Sequence, residues 1–492
     1  MFRRALLLVT GFVSFGTGTA CADEPKPRTF AGHTGAVNSV AVSPDGKLVA
    51  STGADATVNV LDLTTGKTLV QLTGASSGWS IAFSADGTKL AVGGQDNNVH
   101  ILDAMTGRMV KSCAGHQNVV WAAAFAPDGK TLASASADGT VRIWDAASGK
   151  EIRQLTGPSG PWPLAYSPDG QTLAVGFDNG AVQIWDTRTW REGPTFQGAG
   201  SGIWPVAVSP DGRTVAVAQW QGGTVGLYET ATGQIRDSFD GAGGGGWAVG
   251  FAGDGCSALA VGAGGVTLWD LWSGKKATIK TATVLSSVAC SADGRVLVAG
   301  DANGSVHVWD IRDLRKELRA KETTLAPRKL DDHWAALADA DGEKALRSVR
   351  ALAAAHKQSV VLLRERIKPP MVVQTDAAEV EKLVARLDDD DFEAREKASS
   401  ELEKRGPAIA PVLRGLLTKT KSAEVRRRLT MLLNQWAKAP LTAEDLRAFR
   451  AVEVLEAAGT AEARQLLKSF ADNAAESVLT REAKATLARM QR

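Results

Sequence analysis

The chain is poor in the residues that build metal, redox and disulfide chemistry. Of its 492 residues only four are cysteine and six are histidine. Cys21 lies in an apolar leader. Cys113, Cys256 and Cys290 are far apart, and an odd, scattered set is no disulfide framework. Cys113 and Cys290 read as small core residues. No Cys-x-x-Cys pair or His/Cys cluster supplies the ligands that zinc takes. His33, His100, His116, His307, His333 and His356 form no metal triad and no nucleophile–base pair. The formal net charge is only +2, which leaves no footprint for nucleic acid. Past residue 22 no apolar run is long enough to cross a bilayer. These absences point away from catalysis, metals and cofactors, and toward surfaces that bind.

What the chain does have is a repeat. Asp45-Gly46, Asp86-Gly87, Asp128-Gly129, Asp169-Gly170, Asp211-Gly212, Asp254-Gly255 and Asp293-Gly294 recur at intervals of 39 to 43 residues. About sixteen residues after each comes an apolar or aromatic residue followed by an acid, from Leu61-Asp62 to Trp309-Asp310. A unit of this period cannot bury its own apolar faces and must stack on copies of itself. The unit from Gly115 to Leu155 shows the local structure. Val119 to Phe125 carries large residues at alternate positions. Pro127-Asp128-Gly129 is a turn. Thr131 to Ser136 is a second strand, and Asp138-Gly139 a hairpin signal. Thr140 to Trp144 and Glu151 to Leu155 complete four short antiparallel strands, one propeller blade.

The Gly115-His116, Pro127-Asp128-Gly129, Asp138-Gly139-Thr140-Val141 and Trp144-Asp145 motifs resemble the WD40 repeat. The resemblance covers about residues 28–312 and implies a seven-bladed propeller. It also implies a hydrogen-bonded tetrad of His116, Ser134 (or Ser136), Asp138 and Trp144 that fixes blade geometry and is not catalytic. Other blades depart from it. The first has His33 and Asp55 but Leu61 at the tryptophan position, and the second has Ala75 and Leu102. The last repeat ends after its third strand, so the segment around Arg28-Thr29-Phe30 is expected to close the ring and remove its exposed edges.

Residues 1–22 read as a signal peptide: Arg3-Arg4, an apolar stretch, then Ala20-Cys21-Ala22. Export to the periplasm or beyond is therefore expected. The minor alternative is a lipoprotein anchored through Cys21, disfavoured by Gly18 where an aliphatic residue is needed. After Asp310 glycine nearly vanishes and helical periodicity takes over. The expected order is a propeller over 23–312, a linker over 313–328 and an all-α domain over 329–492. The segment from Leu387 to Ala398 resembles the helix pairs of HEAT and armadillo-like repeats, which usually present surfaces to other proteins. Asp376, Thr442, Thr460 and Thr480 read as helix N-caps. The two halves carry net charges of −5 (23–312) and +5 (313–492), a difference that could favour docking.

Three motif matches fail on context. Gly74-Ala75-Ser76-Ser77-Gly78 fits a hydrolase elbow but falls between two strands. Gly241 to Gly246 fits Gly-x-Gly-x-x-Gly with no helix behind it. Asp339-Ala340-Asp341-Gly342 lacks the remaining ligands of a calcium loop. One feature does stand out. Trp79, Trp121, Trp162, Trp204 and Trp247 each lie seven residues before the turn aspartate in five consecutive blades, with Asn38 and Ser286 at that position in the first and seventh. This position opens the innermost strand, whose start, the WD40 resemblance implies, lies near the rim of the central channel. Two readings follow. The tryptophans share parity with core residues such as Ile81 and Phe83, and so could fill the gap between blades. Alternatively they line a mouth for other proteins, or for a glycan or peptide. The leading expectation is an exported, non-enzymatic scaffold that holds protein partners. The alternative is a periplasmic receptor for a small ligand at the tryptophan ring.

Overall fold

The computed structural model describes residues 25–490 apart from 75–77, 199–202, 220–222, 242, 244–247, 254, 369–376, 407–408, 439–440 and 474–476. The leader with Cys21, Trp247, Asp254 and Asp376 fall outside the described residues. Seven four-stranded antiparallel sheets form a propeller. The first blade is built from Val37–Val42, Leu48–Gly53, Thr57–Asp62 and Thr68–Thr73, innermost strand first, and the next five repeat the pattern. The seventh joins the last three strands of the ring to Arg28–Ala31. Arg28 lies opposite Val308 and Ala31 opposite Ser305. The ends thus close the ring at the segment the sequence indicated, and Phe30 packs against a core shared with the first blade.

No blade owns its core. Ile143 and Leu155 of the third blade pack with Leu164, Leu173 and Phe177 of the fourth, and the other gaps are filled likewise. Hence the repeat, not the single sheet, is the stable unit. Among the described residues, the recurring Asp-Gly pairs sit in the turn after the innermost strand. At Ser43, the hydroxyl donates to Asp45 Oδ1 (2.6 Å), which also accepts the Lys47 N–H (3.1 Å). Gly46 adopts φ 71° there, a conformation side chains resist.

Eleven helices follow among the described residues: α1 (Arg312–Leu318), α2 (Pro327–Ala336), α3 (Gly342–Ala354), α4 (His356–Arg366), α5 (Ala377–Ala385), α6 (Phe392–Arg405), α7 (Ala410–Lys419), α8 (Ala423–Lys438), α9 (Ala443–Ala458), α10 (Ala461–Ala471) and α11 (Val478–Arg489). Two expectations change. The linker over 313–328 is not a free tether, because it contains most of α1. Leu314 and Leu318 are buried in the core of the sixth and seventh blades, and Ser273 donates to the Leu318 carbonyl (2.5 Å). Thr480 is not an N-cap. Ser477 caps α11 by accepting the Thr480 N–H (3.1 Å), while Thr442 and Thr460 do cap their helices.

The helical region has two separate cores. One gathers Val349, Leu352, Leu363, Val452, Leu455, Leu467 and Phe470 from α3, α4, α9 and α10. The other gathers Val380, Leu383, Ala398, Leu413 and Leu429 from α5 to α8. Residues 377–438 are therefore an inserted bundle, entered after α4 and left before α9. The segment from Leu387 to Ala398, which resembles HEAT and armadillo-like helix pairs, lies within it. Asp391, last of the acidic run, caps α6 through the Glu393 and Ala394 N–H groups.

Candidate functional site: the channel mouth and the domain junction

The innermost strands carry a register shift at their start. In the second blade Gly78 pairs with Gly94 and Ser80 with Gly93, so Trp79 is an extra, unpaired residue. The same bulge holds Trp121 in the third blade and Trp162 in the fourth, and the strand Ile203–Val208 shifts at Trp204. A bulge re-aims the side chain it carries. The extra residue interrupts the strand's alternation, so strand parity alone does not place these rings with Ile81 and Phe83.

Trp79, Trp121 and Trp162 are half-buried. Trp79 meets Trp121 edge-on with centroids 5.2 Å apart, and Trp121 meets Trp162 at 5.2 Å with planes tilted by 31°. Three adjacent blades thus share one aromatic arc. The side chain of Trp204 and all of Trp247 lie outside the described residues. The indole N–H groups of Trp79 and Trp121 are sealed from solvent and find no oxygen acceptor. What the arc offers to a partner is ring surface, not hydrogen bonds. In the blades without a tryptophan, polar groups bridge neighbours instead. Asn38 Nδ2 donates to Gly78 O (3.0 Å), and the Ser286 hydroxyl donates to Val37 O (2.5 Å).

The third blade assembles the predicted tetrad. His116 Nδ1 pairs with Asp138 Oδ2 (2.8 Å) and Nε2 with Ser134 Oγ (2.7 Å), which accepts the Trp144 Nε1–H (2.7 Å). Ser134, not Ser136, is the member; Ser136 donates to Asn118 O. Burial lowers the His116 pKa although Asp138 opposes it. Burial also works against the Asp138 carboxylate, yet bonds from the Thr140 hydroxyl, Gln117 N–H and His116 bring it to about 2. In the first blade His33 holds Asp55 (3.0 Å) and Ser51 (2.8 Å), with Leu61 in place of tryptophan. With Trp144 wholly buried, this network faces no cleft, and what it does is fix strands and turns.

The feature that sequence reasoning missed is the junction between propeller and helices. Glu229, at the end of a fifth-blade strand, is fully buried and grips Arg450 of α9 in two bonds of 2.9 Å. Arg236 of the same blade holds both oxygens of Glu453 (2.9 and 2.7 Å). Arg213, after the Asp211-Gly212 turn, reaches Glu456 (2.5 Å) and Thr486 (2.9 Å). Arg350 of α3 meets Asp237 at 2.6 Å. Burial penalises the Glu456 carboxylate, but Arg213 and Arg489 hold it at about 2. Each side supplies both signs, so complementary net charge does not drive this docking. Little in the sequence signals it, because α9 also carries Glu444, Asp445 and Arg447, and Arg450, Glu453 and Glu456 do not stand out among them. Close approach needs Gly342 at the start of α3, where a Cβ would stand 2.3 Å from the Ile235 carbonyl oxygen.

The junction lies at the turns that end the innermost strands, whereas the tryptophans lie where those strands begin. A six-residue strand spans roughly 20 Å, so the helices dock on one side of the ring, chiefly at the fifth and sixth blades, and the tryptophans lie toward the other. Among the described residues no cluster of His, Cys, Asp and Glu could hold a metal ion, and no helix is long and apolar enough to cross a membrane. The free thiols are not activated. Burial pushes Cys113 up to about 11 and Cys290 up to about 12.

Seven four-stranded blades closed by an N-terminal strand, followed by helices, define the class: a seven-bladed β-propeller with a C-terminal helical region. Part of the ring matches WD40 repeats. The family described as "WD domain, G-beta repeat" matches residues 25–62, 107–145, 149–186 and 275–310. "Anaphase-promoting complex subunit 4 WD40 domain" matches residues 75–123. A 48-residue stretch is 54% identical to "Small ribosomal subunit protein RACK1" of Medicago sativa and 56% identical to "Small ribosomal subunit protein RACK1z" of Arabidopsis thaliana. Each match covers 10% of this chain and 15% of the relative. The similarity is thus about one repeat long and speaks to the blade. WD40 propellers are generally non-catalytic scaffolds that bind other proteins.

Proposed function

We propose that this protein is an exported, non-enzymatic scaffold that holds a protein partner at the tryptophan-lined mouth, with the helical domain seated on the opposite face. Export rests on the leader-like composition of residues 1–22. The partner reading rests on one observation: three touching, half-buried tryptophans held on bulges at the end of the strands away from the helical junction. Tryptophan is the residue most enriched at interface hot spots. The sealed N–H groups favour a partner that presents apolar, cationic or aromatic side chains, since ring faces attract all three. A hydrogen-bonded small ligand gains less from such a surface.

The test is a pull-down from envelope extract with the wild-type chain and a Trp121→Ala/Trp162→Ala variant of unchanged circular dichroism. A partner kept by the first and released by the second supports the reading. Equal capture by both contradicts it. Quenching of tryptophan fluorescence by a soluble glycan or peptide, lost in the variant, would favour the small-ligand receptor instead.

A further inference from the structure

The junction holds an open cleft of about 960 Å³ between the turns of the fourth to seventh blades, residues 319–322 and helices α3, α4, α9 and α11. That is the size of a small-molecule site, and such sites favour domain interfaces. Its carboxylates are already engaged. Glu453 is held by Arg236, and Glu456 by Arg213 and Arg489. Asp211 accepts from the Ser209 hydroxyl and the Arg213 N–H, and Asp270 from the Trp272 and Ser273 N–H groups. Glu322 pairs with Lys357 (2.9 Å).

The lining carries five carboxylates and five cationic side chains, and it is the cations that keep spare N–H groups. Arg350 uses Nε for the Leu271 carbonyl and Nη2 for Asp237, which leaves Nη1 without an acceptor among the described residues. Arg489 spends Nε and Nη2 on Glu456 and Thr486, which leaves its Nη1 likewise. Arg213, only 2% exposed, has an Nε–H with no partner. Lys321 lines the cleft, is exposed and has no ion-pair partner among the described residues. Beside these donors lies apolar surface: the half-buried Trp272 and Met490, with Ala353, Ala354 and Ala457.

We propose that this cleft binds a small anionic molecule, a carboxylate or a phosphate ester, with its charged end on Lys321, Arg350 and Arg489 and its flat apolar end on Trp272. The site is independent of the mouth and lies across the channel from it. Arginine suits such an anion because its planar fork presents spare N–H groups beside those already engaged. Because the walls come from both domains, a bound ligand would also tie them together.

Isothermal titration of the purified protein with 1-naphthyl phosphate, 1-naphthoate, 1-naphthol and inorganic phosphate tests this. One saturable site is expected for at least one aryl anion, with 1-naphthol and inorganic phosphate weaker by about tenfold or more, since each loses one of the two contacts. The tighter of the two aryl anions identifies the natural class as phosphate ester or carboxylate. Lys321→Glu, on an exposed side chain that does not threaten folding, should weaken the aryl anions by about tenfold. Trp272→Leu should weaken them too, and Trp121→Ala at the mouth should not. Binding of 1-naphthol as tight as that of the anions, no effect of Lys321→Glu, or loss of binding in Trp121→Ala would each overturn the proposal.

Discussion

Replacing Arg450 with methionine should undock the helical domain while leaving the propeller folded. Arg450 is 1% exposed and Glu229 is fully buried. The guanidinium makes two bonds to Glu229 and two more to the carbonyls of Leu337 (2.9 Å) and Asp339 (2.6 Å). Methionine fills much of the volume but makes none of them. Glu229 would keep the Thr232 hydroxyl (2.8 Å) and the nearby Arg236, yet stay buried without its main partner. Breaking one member of a buried pair costs about 3–5 kcal/mol, and 1.4 kcal/mol is a factor of about ten in the docking equilibrium. Glu229→Leu combined with Arg450→Met removes both charges, and such exchanges run from neutral to about 1–4 kcal/mol stabilising. Hydrogen exchange at the amides of α9 reads the docked state without assuming a single unfolding step. The single variant should lose protection, and the double variant should regain most of it. A loss below about 1 kcal/mol in the single variant, or a double variant as exposed as the single, would refute the reasoning.

Acid should open the same junction. The folded pKa of Glu456, about 2, lies below its ordinary 4.5, and that of Glu229 is also lowered. The unfolded chain therefore binds more protons in that window, so the stabilisation is present above 4.5 and lost as pH falls toward 2. Unchanged α9 protection at pH 3 would contradict this. Gly342→Ala is a test of sign: helix propensity alone favours alanine by about 1 kcal/mol, but the 2.3 Å approach to the Ile235 carbonyl predicts a lower urea midpoint and undocking. Trp144→Phe should cost about 1–3 kcal/mol in urea melts by leaving the buried tetrad short of a donor. A cost within error would mean the tetrad does not brace its blade.

The blades were readable because every unit repeats a turn Asp-Gly and a strand that ends in an apolar or aromatic residue followed by an acid, with a turn serine in five units and Trp-Asp in four. Seven copies average out local departures such as Leu61 and Leu102. Closure through Arg28–Ala31 was also legible, since a ring that ends one strand short must borrow one. The mouth was half legible. The tryptophans were visible, but parity along a strand cannot reveal a bulge, and the bulge decides where each ring goes. The junction was opaque because Arg213, Arg236, Glu229, Arg450, Glu453 and Glu456 look individually like solvated surface charges. Only the arrangement of α9 against the fifth blade turns them into buried pairs. Nor does local sequence tell that α5 to α8 form a core of their own, because the helical period is the same on both sides of the insertion.

Hydroxyl-radical footprinting of the tryptophans, with and without envelope extract, tests the central claim most directly. Trp144, Trp185 and Trp309 are 0%, 2% and 1% exposed and should resist oxidation in both conditions. Trp79, Trp121 and Trp162 should oxidise in the isolated protein and become protected together when the partner binds. Oxidation of the three that does not change with extract, or resistance equal to that of Trp144 from the outset, would show that the arc is interior packing and not a binding mouth.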